Sequence, residues 1–177
     1  AEGAPLVLNP LRVQGADYGA DGTVSVDVET QVATVDLTAN VGNAARFSAL
    51  AGRDLGGKAQ LDVTGTVSAA TADLVITGNG SGIDLGDPHI NGVLGGQFSL
   101  DTHVLRDGAT LTLDRLALNG GNLSLSANGT LSDTGKSLQA EARVPEVGRL
   151  VAELSGPVTI TATVGGDADT TTVDAAL

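Results

Sequence analysis

The stretch Leu123-Ser124-Leu125-Ser126-Ala127 decides the fold class, because apolar and small polar residues alternate along it with a period of two. Successive side chains of a β-strand point to opposite faces, so this spacing predicts a strand with one dry face and one wet face. The same alternation recurs in Thr23-Val24-Ser25-Val26-Asp27-Val28, in Gln60-Leu61-Asp62-Val63 and in Leu138-Gln139-Ala140-Glu141-Ala142-Arg143-Val144. The chain is therefore predicted to be all-β.

Glycine, asparagine and aspartate separate the alternating segments. They occur as Asp21-Gly22, Asn79-Gly80, Asp107-Gly108, Asn119-Gly120-Gly121 and Gly165-Gly166-Asp167. These residue types tolerate the left-handed backbone of tight turns, so each group is predicted to separate two strands. The spacing predicts about ten strands joined by short connections.

Two longer segments share an irregularity. Leu6–Gly15 and Leu111–Gly120 both alternate, skip two positions at Asn9-Pro10 or Asp114-Arg115, and then alternate again. A one-residue slip would reverse the faces of a strand, so the skip predicts a bulge or a bend at each place. Proline cannot donate to a strand ladder, which also favours an edge or a bulge at position 10.

A second repeat predicts short helices. The segments Arg46–Gly52, Ile90–Gly96 and Leu150–Gly156 each contain a leucine, a small residue and a glycine at their end. Asn43, Asp87-Pro88 and Pro145-Glu146 lie just upstream and are typical of helix starts, whereas a terminal glycine is typical of a helix end. Three helices of about two turns, each followed by an alternating strand, are predicted as an internal repeat.

The composition excludes several classes of protein. Among 177 residues there is no Cys, so disulfide frameworks and thiolate metal sites are excluded. The formal net charge of −12 argues against binding to nucleic acid or to an anionic membrane surface. The chain starts at Ala1 and contains no Met, so we expect residues 1–177 to be a single β-rich repeat module within a longer protein.

No motif in the sequence predicts an enzyme, a cofactor site or a metal site. The segment Leu74–Ile83 is similar to the nucleotide-binding turn of short-chain dehydrogenases, but Asp84–Pro88 would break the helix that such a site needs, so a plain glycine turn is predicted. His89 and His103 are predicted to be ordinary exposed histidines. The carboxylate pairs Asp84/Asp87 and Asp167/Asp169 lack the tandem glycine pattern of repeat calcium sites, and no Gly-x-Ser-x-Gly occurs.

The dry face of the predicted sheet needs a cover. The predicted helices are too short to provide one, so the dry face must meet another sheet, its own curled continuation or a foreign apolar molecule. Ten strands at the usual spacing would extend over roughly 50 Å. With aromatic residues at only 2%, the lining would be a smooth aliphatic trough, and the sequence leaves open whether it is closed, filled or open.

These motifs resemble those of the TamB family of bacterial envelope proteins. The resemblance is carried by Leu94-Gly95-Gly96-Gln97-Phe98-Ser99-Leu100, by Leu111–Gly121 and by Leu154–Thr163, and AsmA-like proteins share much of the same pattern. It implies an elongated, U-shaped, curled sheet with a hydrophobic groove and two or three very short helices. The family's N-terminal helix is absent from this sequence, and nothing marks its C-terminal region, so the resemblance implies an internal piece of a longer periplasmic protein.

The resemblance also implies a function. TamB-like proteins are periplasmic bridges, anchored in the inner membrane by a segment outside this chain, that carry phospholipid and assist assembly of outer-membrane proteins and autotransporters with an Omp85-type partner, TamA. The groove would then bind phospholipid acyl chains or an unfolded β-barrel client. The residues expected to line it, each of which could instead pack as core, are Leu61, Val63, Leu74, Ile76, Phe98, Leu100, Leu123, Leu125, Val158 and Ile160. The alternative is a structural β-solenoid or sandwich adhesin, or a secreted passenger, whose dry faces are filled internally.

Overall fold

A computed structural model describes residues 5–149, 153–167 and 171–176. They form one open, curled, antiparallel sheet of eleven strands, and every strand pairs with its neighbours in the chain. The predicted all-β class is confirmed, with one strand more than expected. The strands are β1 Leu6–Gln14, β2 Tyr18–Asp27, β3 Val32–Val41, β4 Gly56–Val67, β5 Thr71–Asp84, β6 Gln97–Asp107, β7 Thr110–Gly120, β8 Leu123–Ser132, β9 Gly135–Val144, β10 Val158–Gly166 and β11 Thr172–Ala176.

The connections at the two ends of the strands differ. In an antiparallel meander successive connections lie at alternate ends, so β2–β3, β4–β5, β6–β7, β8–β9 and β10–β11 turn at one end, called here the turn end. All the helical segments of the described residues lie in connections at the other end, called here the helical end. They are a 3₁₀ helix at Ala44–Phe47, α1 at Ser48–Ala51, α2 at Pro88–Leu94 and a 3₁₀ helix at Val147–Arg149.

Two of the three predicted helices form, the first with both predicted ends and the second with its C-cap at Gly95, one residue before the predicted Gly96. The Asn43 side chain accepts a hydrogen bond from the Ala45 N–H before the first, and Gly52 ends α1 with φ 66°. Asp87 accepts from two N–H groups at the start of α2, and Gly95 ends it with φ 62°. These positive φ values cost glycine little, which explains the Leu-small-Gly ending of the repeat.

The third predicted helix, over Leu150–Gly156, does not form in the part of it that the structure describes. A 3₁₀ helix of three residues forms at Val147–Arg149, residues 150–152 lie outside the described part of the chain, and residues 153–155 are not helical. The Glu146 carboxylate explains the difference, because it accepts hydrogen bonds from the N–H groups of Gly148 and Gly156. Together with the bond from Val147 N–H to Gly156 O, 2.9 Å long, this side chain ties the segment into a loop.

The predicted irregularities in β1 and β7 are confirmed. The register of β1 against β2 shifts between Leu8 and Leu11, and that of β7 against β8 shifts between Leu113 and Leu116. In both strands the bulge absorbs the two skipped positions, so apolar residues on either side of it keep the same face.

Two of the predicted glycine turns are instead inside strands. Gly22 lies in the middle of β2, and Asn79-Gly80 lies within β5, so the prediction of a glycine turn over Leu74–Ile83 is also wrong. Gly22 has φ 151°, and a Cβ there would collide with the backbone carbonyl of Asp36 on β3. Glycine at this position permits close approach of two strands rather than a change of chain direction.

Candidate functional site

The register of the strands places apolar residues on one face of the whole sheet. Residues directly opposite each other in antiparallel strands share a face, so a row can be followed from strand to strand. One such row crosses ten strands, from β1 to β10, without meeting a polar side chain. It contains Val13, Ala20, Ala39, Leu61, Gly78, Leu100, Leu118, Leu125, Ala142 and Ile160. We call the side of the sheet that carries this row the apolar face.

All ten residues that the sequence singled out lie on the apolar face. Leu61, Leu100, Leu125 and Ile160 belong to the row just described, and Val63 lies directly opposite Ile76. The other five are placed there by the same registers of β4 to β10. They are Leu74, Ile76, Phe98, Leu123 and Val158. The structure thus spreads these side chains over five strands as one surface rather than gathering them into a pocket.

The sequence reasoning missed the leucines of β7, which lie at the middle of the apolar face. Leu111, Leu113, Leu116 and Leu118 all point to it, and the last two follow the bulge. Their alternation with a two-position skip was visible in the sequence and predicted a bulge. Combining that bulge with the alternation would have assigned all four leucines to the same face.

Away from the helical end, no other part of the described chain covers the apolar face. Among the described residues only Val144 and Val147 are buried apolar side chains, with 7% and 9% of their surface exposed, and both lie at the helical end. On the apolar face Leu131 is 52% exposed and Ile160 is 40% exposed. Side chains of this face therefore pack laterally against neighbouring strands and leave their tips accessible.

Helix α2 and the 3₁₀ helix at Val147–Arg149 fasten the helical end of the sheet. The N–H of Gly121 donates to Leu94 O over 2.6 Å. Asn122, only 3% exposed, donates from Nδ2 to Glu146 O (2.9 Å) and accepts at Oδ1 from the N–H of Glu146 (3.1 Å). These contacts join the β7–β8 turn to both helical segments at the helical end of the sheet.

Glycines shape the surface of the apolar face in two ways. Beside Gly80 the ring of Phe98 occupies the space of the missing side chain, so the surface there stays level. Beside Gly129, where a Cβ would collide with the Ser137 carbonyl on β9, the surface holds a depression of about 270 Å³. Its lining includes Leu111, Leu113, Leu131, Leu138, Val164 and Lys136.

The opposite face carries networks of charged and hydroxyl side chains. His103 on β6 bridges Asp73 on β5, 2.9 Å from Nε2, and Asp114 on β7, 3.0 Å from Nδ1. The hydrogen bond with Asp73, and then that with Asp114, raises the pKa of His103 above its usual 6.5. His103 was predicted to be an ordinary exposed histidine, and this is wrong, because only 21% of its side chain is exposed and both ring nitrogens are engaged.

Hydrogen bonds also hold the carboxylates that could have suggested calcium. The Asp84 carboxylate accepts hydrogen bonds from the Gly86 N–H and from the Asn91 amide, which lower the pKa of Asp84. The Asp87 carboxylate caps α2, and the N–H groups of Ile90 and His89 lower the pKa of Asp87. Asp169, the partner in the other pair, lies outside the described residues. In the described ranges no three His, Asp or Glu side chains are grouped so as to hold a metal ion.

None of the helices in residues 5–149, 153–167 and 171–176 has the length and apolar character needed to cross a membrane. Comparison with known proteins found no matching family model, no matching curated protein and no matching solved structure. The resemblance to the TamB family therefore rests on the sequence motifs alone.

Proposed function

We propose that this chain is a segment of a periplasmic bridge, similar to TamB-like proteins, whose apolar face carries phospholipid acyl chains. The observation that supports the proposal is the uncovered row of apolar residues across ten strands. Monomeric proteins rarely expose a continuous apolar surface of this extent unless something binds there. The alternative of an adhesin required a dry face filled internally, and the described residues leave this face uncovered.

The aliphatic lining suits an acyl chain physically. Each methylene removed from water contributes about 0.8 kcal/mol, and an open face covers only one side of the chain, so about half of this is gained. Binding of this kind has no preferred position along the row, because neighbouring sites present similar Leu, Val, Ile and Ala side chains. An acyl chain could therefore pass from strand to strand without crossing a large barrier, and transport would be passive.

The proposal includes the setting of the parent protein. An inner-membrane anchor outside this chain and an Omp85-type partner in the outer membrane, TamA-like, would place the sheet across the periplasm. In that setting the same surface could serve the assembly of outer-membrane proteins and autotransporters.

A β-barrel client is a second candidate because β1 has an open edge. Among the described residues β1 pairs only with β2, so the backbone groups on its other side are available to an added strand. Leu6 and Leu8 on this strand, 60% and 51% exposed, would extend the apolar face onto an apolar client strand. Binding of a client strand requires the free edge of β1, whereas binding of acyl chains requires only the apolar face.

Native mass spectrometry of the purified chain, followed by solvent extraction, tests the acyl-chain proposal. The variant Leu131→Asp/Ile160→Asp places two carboxylates on the apolar face at half-exposed positions. The matched control Val28→Asp/Leu50→Asp changes the charge equally, at exposed positions in a turn and in α1. We expect co-purifying phospholipid in the wild type and the control and its loss in the first variant, with circular dichroism unchanged in all three. Wild-type protein that stays free of lipid after incubation with phospholipid vesicles would contradict the proposal.

A further inference from the structure

Where the described strands pair regularly, charged side chains occur on the apolar face in a single cross-strand row. In the regularly paired registers of the described strands, its charged side chains are Arg106 on β6 and Lys136 on β9. Both are cations, although the chain as a whole has a net charge of −12. The acidic residues of these strands that pair regularly, such as Asp62 and Asp101, point to the opposite face. A positive pair on the uncovered face of an acidic protein therefore needs an explanation.

Arg106 and Lys136 lie in one cross-strand row at the turn end of the sheet. The register runs from Arg106 to Leu111, from Leu111 to Leu131 and from Leu131 to Lys136. The two cations are thus three strand spacings apart, about 14 Å. Leu111 and Leu131 between them are 43% and 52% exposed, so two accessible leucines are bracketed by two positive charges.

Neither cation is neutralised within the described chain. No carboxylate lies within ion-pair distance of Arg106 or Lys136 in the parts of the chain that the structure describes. The Arg106 guanidinium donates from Nε to Gly108 O over 3.0 Å, which holds its stem beside the turn and leaves its other N–H groups for a ligand. Long stems of Lys and Arg cover apolar surface while their charged ends stay at the water boundary.

The depression around Gly129 begins at the same row. Lys136 contributes to its lining, beside Leu111 and Leu131 of the row and Leu113, Leu138 and Val164 from further along the strands. An aliphatic depression with a cation at its outer border matches a molecule that has an acidic head and a hydrocarbon tail. A free anion would find no cation deeper in the depression, and a neutral lipid would gain nothing from either cation.

We propose that Arg106 and Lys136 bind the phosphate of a phospholipid head group at the turn end, with its acyl chains directed along the apolar face toward the helical end. This rests on the proposed function and adds an orientation to it. Hydrogen bonds from the guanidinium and the ammonium to phosphate oxygens are charge-assisted and stronger than neutral ones. The head groups would then lie along the turn end of the sheet while the tails run parallel to its strands.

Isothermal titration calorimetry with three probes tests the proposal, with decyl phosphate and decanol below their aggregation limits and inorganic phosphate as the third. We expect the wild type to bind decyl phosphate about tenfold more tightly than decanol, because two charge-assisted contacts are added to the same tail. Arg106→Gln/Lys136→Gln should bind both probes equally. The matched control Lys58→Gln/Arg143→Gln removes two cations from the opposite face and should keep the preference, as should the conservative variant Arg106→Lys/Lys136→Arg.

The outcomes separate this inference from the proposed function. Equal binding of decyl phosphate and decanol by the wild type would overturn the orientation while leaving acyl-chain binding intact. If the control variant lost its preference for decyl phosphate over decanol to the same extent, the orientation would also be overturned, because net charge alone would then explain the loss. Inorganic phosphate binding as tightly as decyl phosphate would show a site for a free anion and overturn the inference, and no binding of either tailed probe would overturn both.

Discussion

Truncating leucines on the apolar face should destabilise the sheet much less than truncating leucines in an ordinary core. Leu131→Ala removes three carbon groups, worth about 2.4 kcal/mol if fully buried at about 0.8 kcal/mol each. Leu131 is 52% exposed, so about half of that is lost, and no cavity forms because nothing lies above the side chain. We expect the free energy of unfolding to fall by about 1 kcal/mol.

Val144 supplies the comparison, because it is 7% exposed and lies at the fastened helical end. Val144→Ala removes only two carbon groups but loses nearly their whole transfer free energy and leaves part of a cavity, so about 2 kcal/mol is expected. The larger truncation should therefore be the less costly one.

Urea unfolding followed by far-ultraviolet circular dichroism measures both values, with the slope of the transition as a check that the unfolded states are comparable. The reasoning would be refuted if Leu131→Ala cost more than about 2.5 kcal/mol, the range of leucine truncations in closed cores. That result would mean that the apolar face is covered in solution. Repeating the measurement at two protein concentrations would then show whether a second copy of the chain provides the cover.

Two further predictions concern the polar contacts of the sheet. His103 has a pKa raised by Asp73 and Asp114, so its contribution to stability is fully present below the unfolded pKa near 6.5 and is lost as pH rises through the higher folded pKa. As pH rises from 6 to 8, the thermal unfolding midpoint of the wild type should therefore decrease relative to that of His103→Gln. Parallel plots of midpoint against pH for the two proteins would contradict this. Asn122→Ala should cost about 2 kcal/mol in urea unfolding, because two hydrogen bonds to a buried backbone are lost. Asn119→Ala, at an exposed position two residues before the turn, should cost under about 1 kcal/mol, and equal losses would refute the buried-anchor role.

The sequence predicted the class and most of the fold because both depend on local patterns. A period of two is visible within five residues, as in Leu123–Ala127, and it fixes both the strand and its faces. The helix end at Gly52 was predicted from an equally local pattern, and that at Gly95 lies one residue before the predicted Gly96, since each end needs one residue that accepts positive φ. These short patterns agree with the sheet because the local preferences of the residues for strand or helix end are the same as those that the whole fold requires.

The failures arose where a neighbour in space decides the structure. Gly22 looked like a turn residue, but its role is to admit the Asp36 carbonyl of the next strand, which no local pattern reveals. His103 looked isolated, because its partners Asp73 and Asp114 are 30 and 11 residues away in the chain. Residues 153–155 of the third predicted helix are not helical, because the Glu146 carboxylate reaches ten residues ahead and holds the Gly156 N–H in a loop.

The lining residues were found on the correct face, but their surroundings could not be predicted from sequence. Alternation states which side chains share a face and says nothing about what lies above that face. Leu100 and Ile160 would show the same pattern in a closed sandwich as in an open sheet. The orientation proposed for a bound lipid likewise depends on Arg106 and Lys136 falling in one row, and that row exists only once the bulge of β7 has set the register.

A sheet of this construction distributes its stability differently from a protein with a closed interior. In the described residues each strand contacts mainly its two neighbours, through backbone hydrogen bonds and lateral packing, so stability is a sum of local terms like that of a repeat protein. A change in one strand is then felt chiefly by the adjoining strands. Because no opposing layer packs on the apolar face, the size and shape of a side chain such as Leu131 are not limited by a cavity that it must fill. This freedom explains how one chain can keep an unbroken apolar row across ten strands and still hold a pair of cations at one end of them.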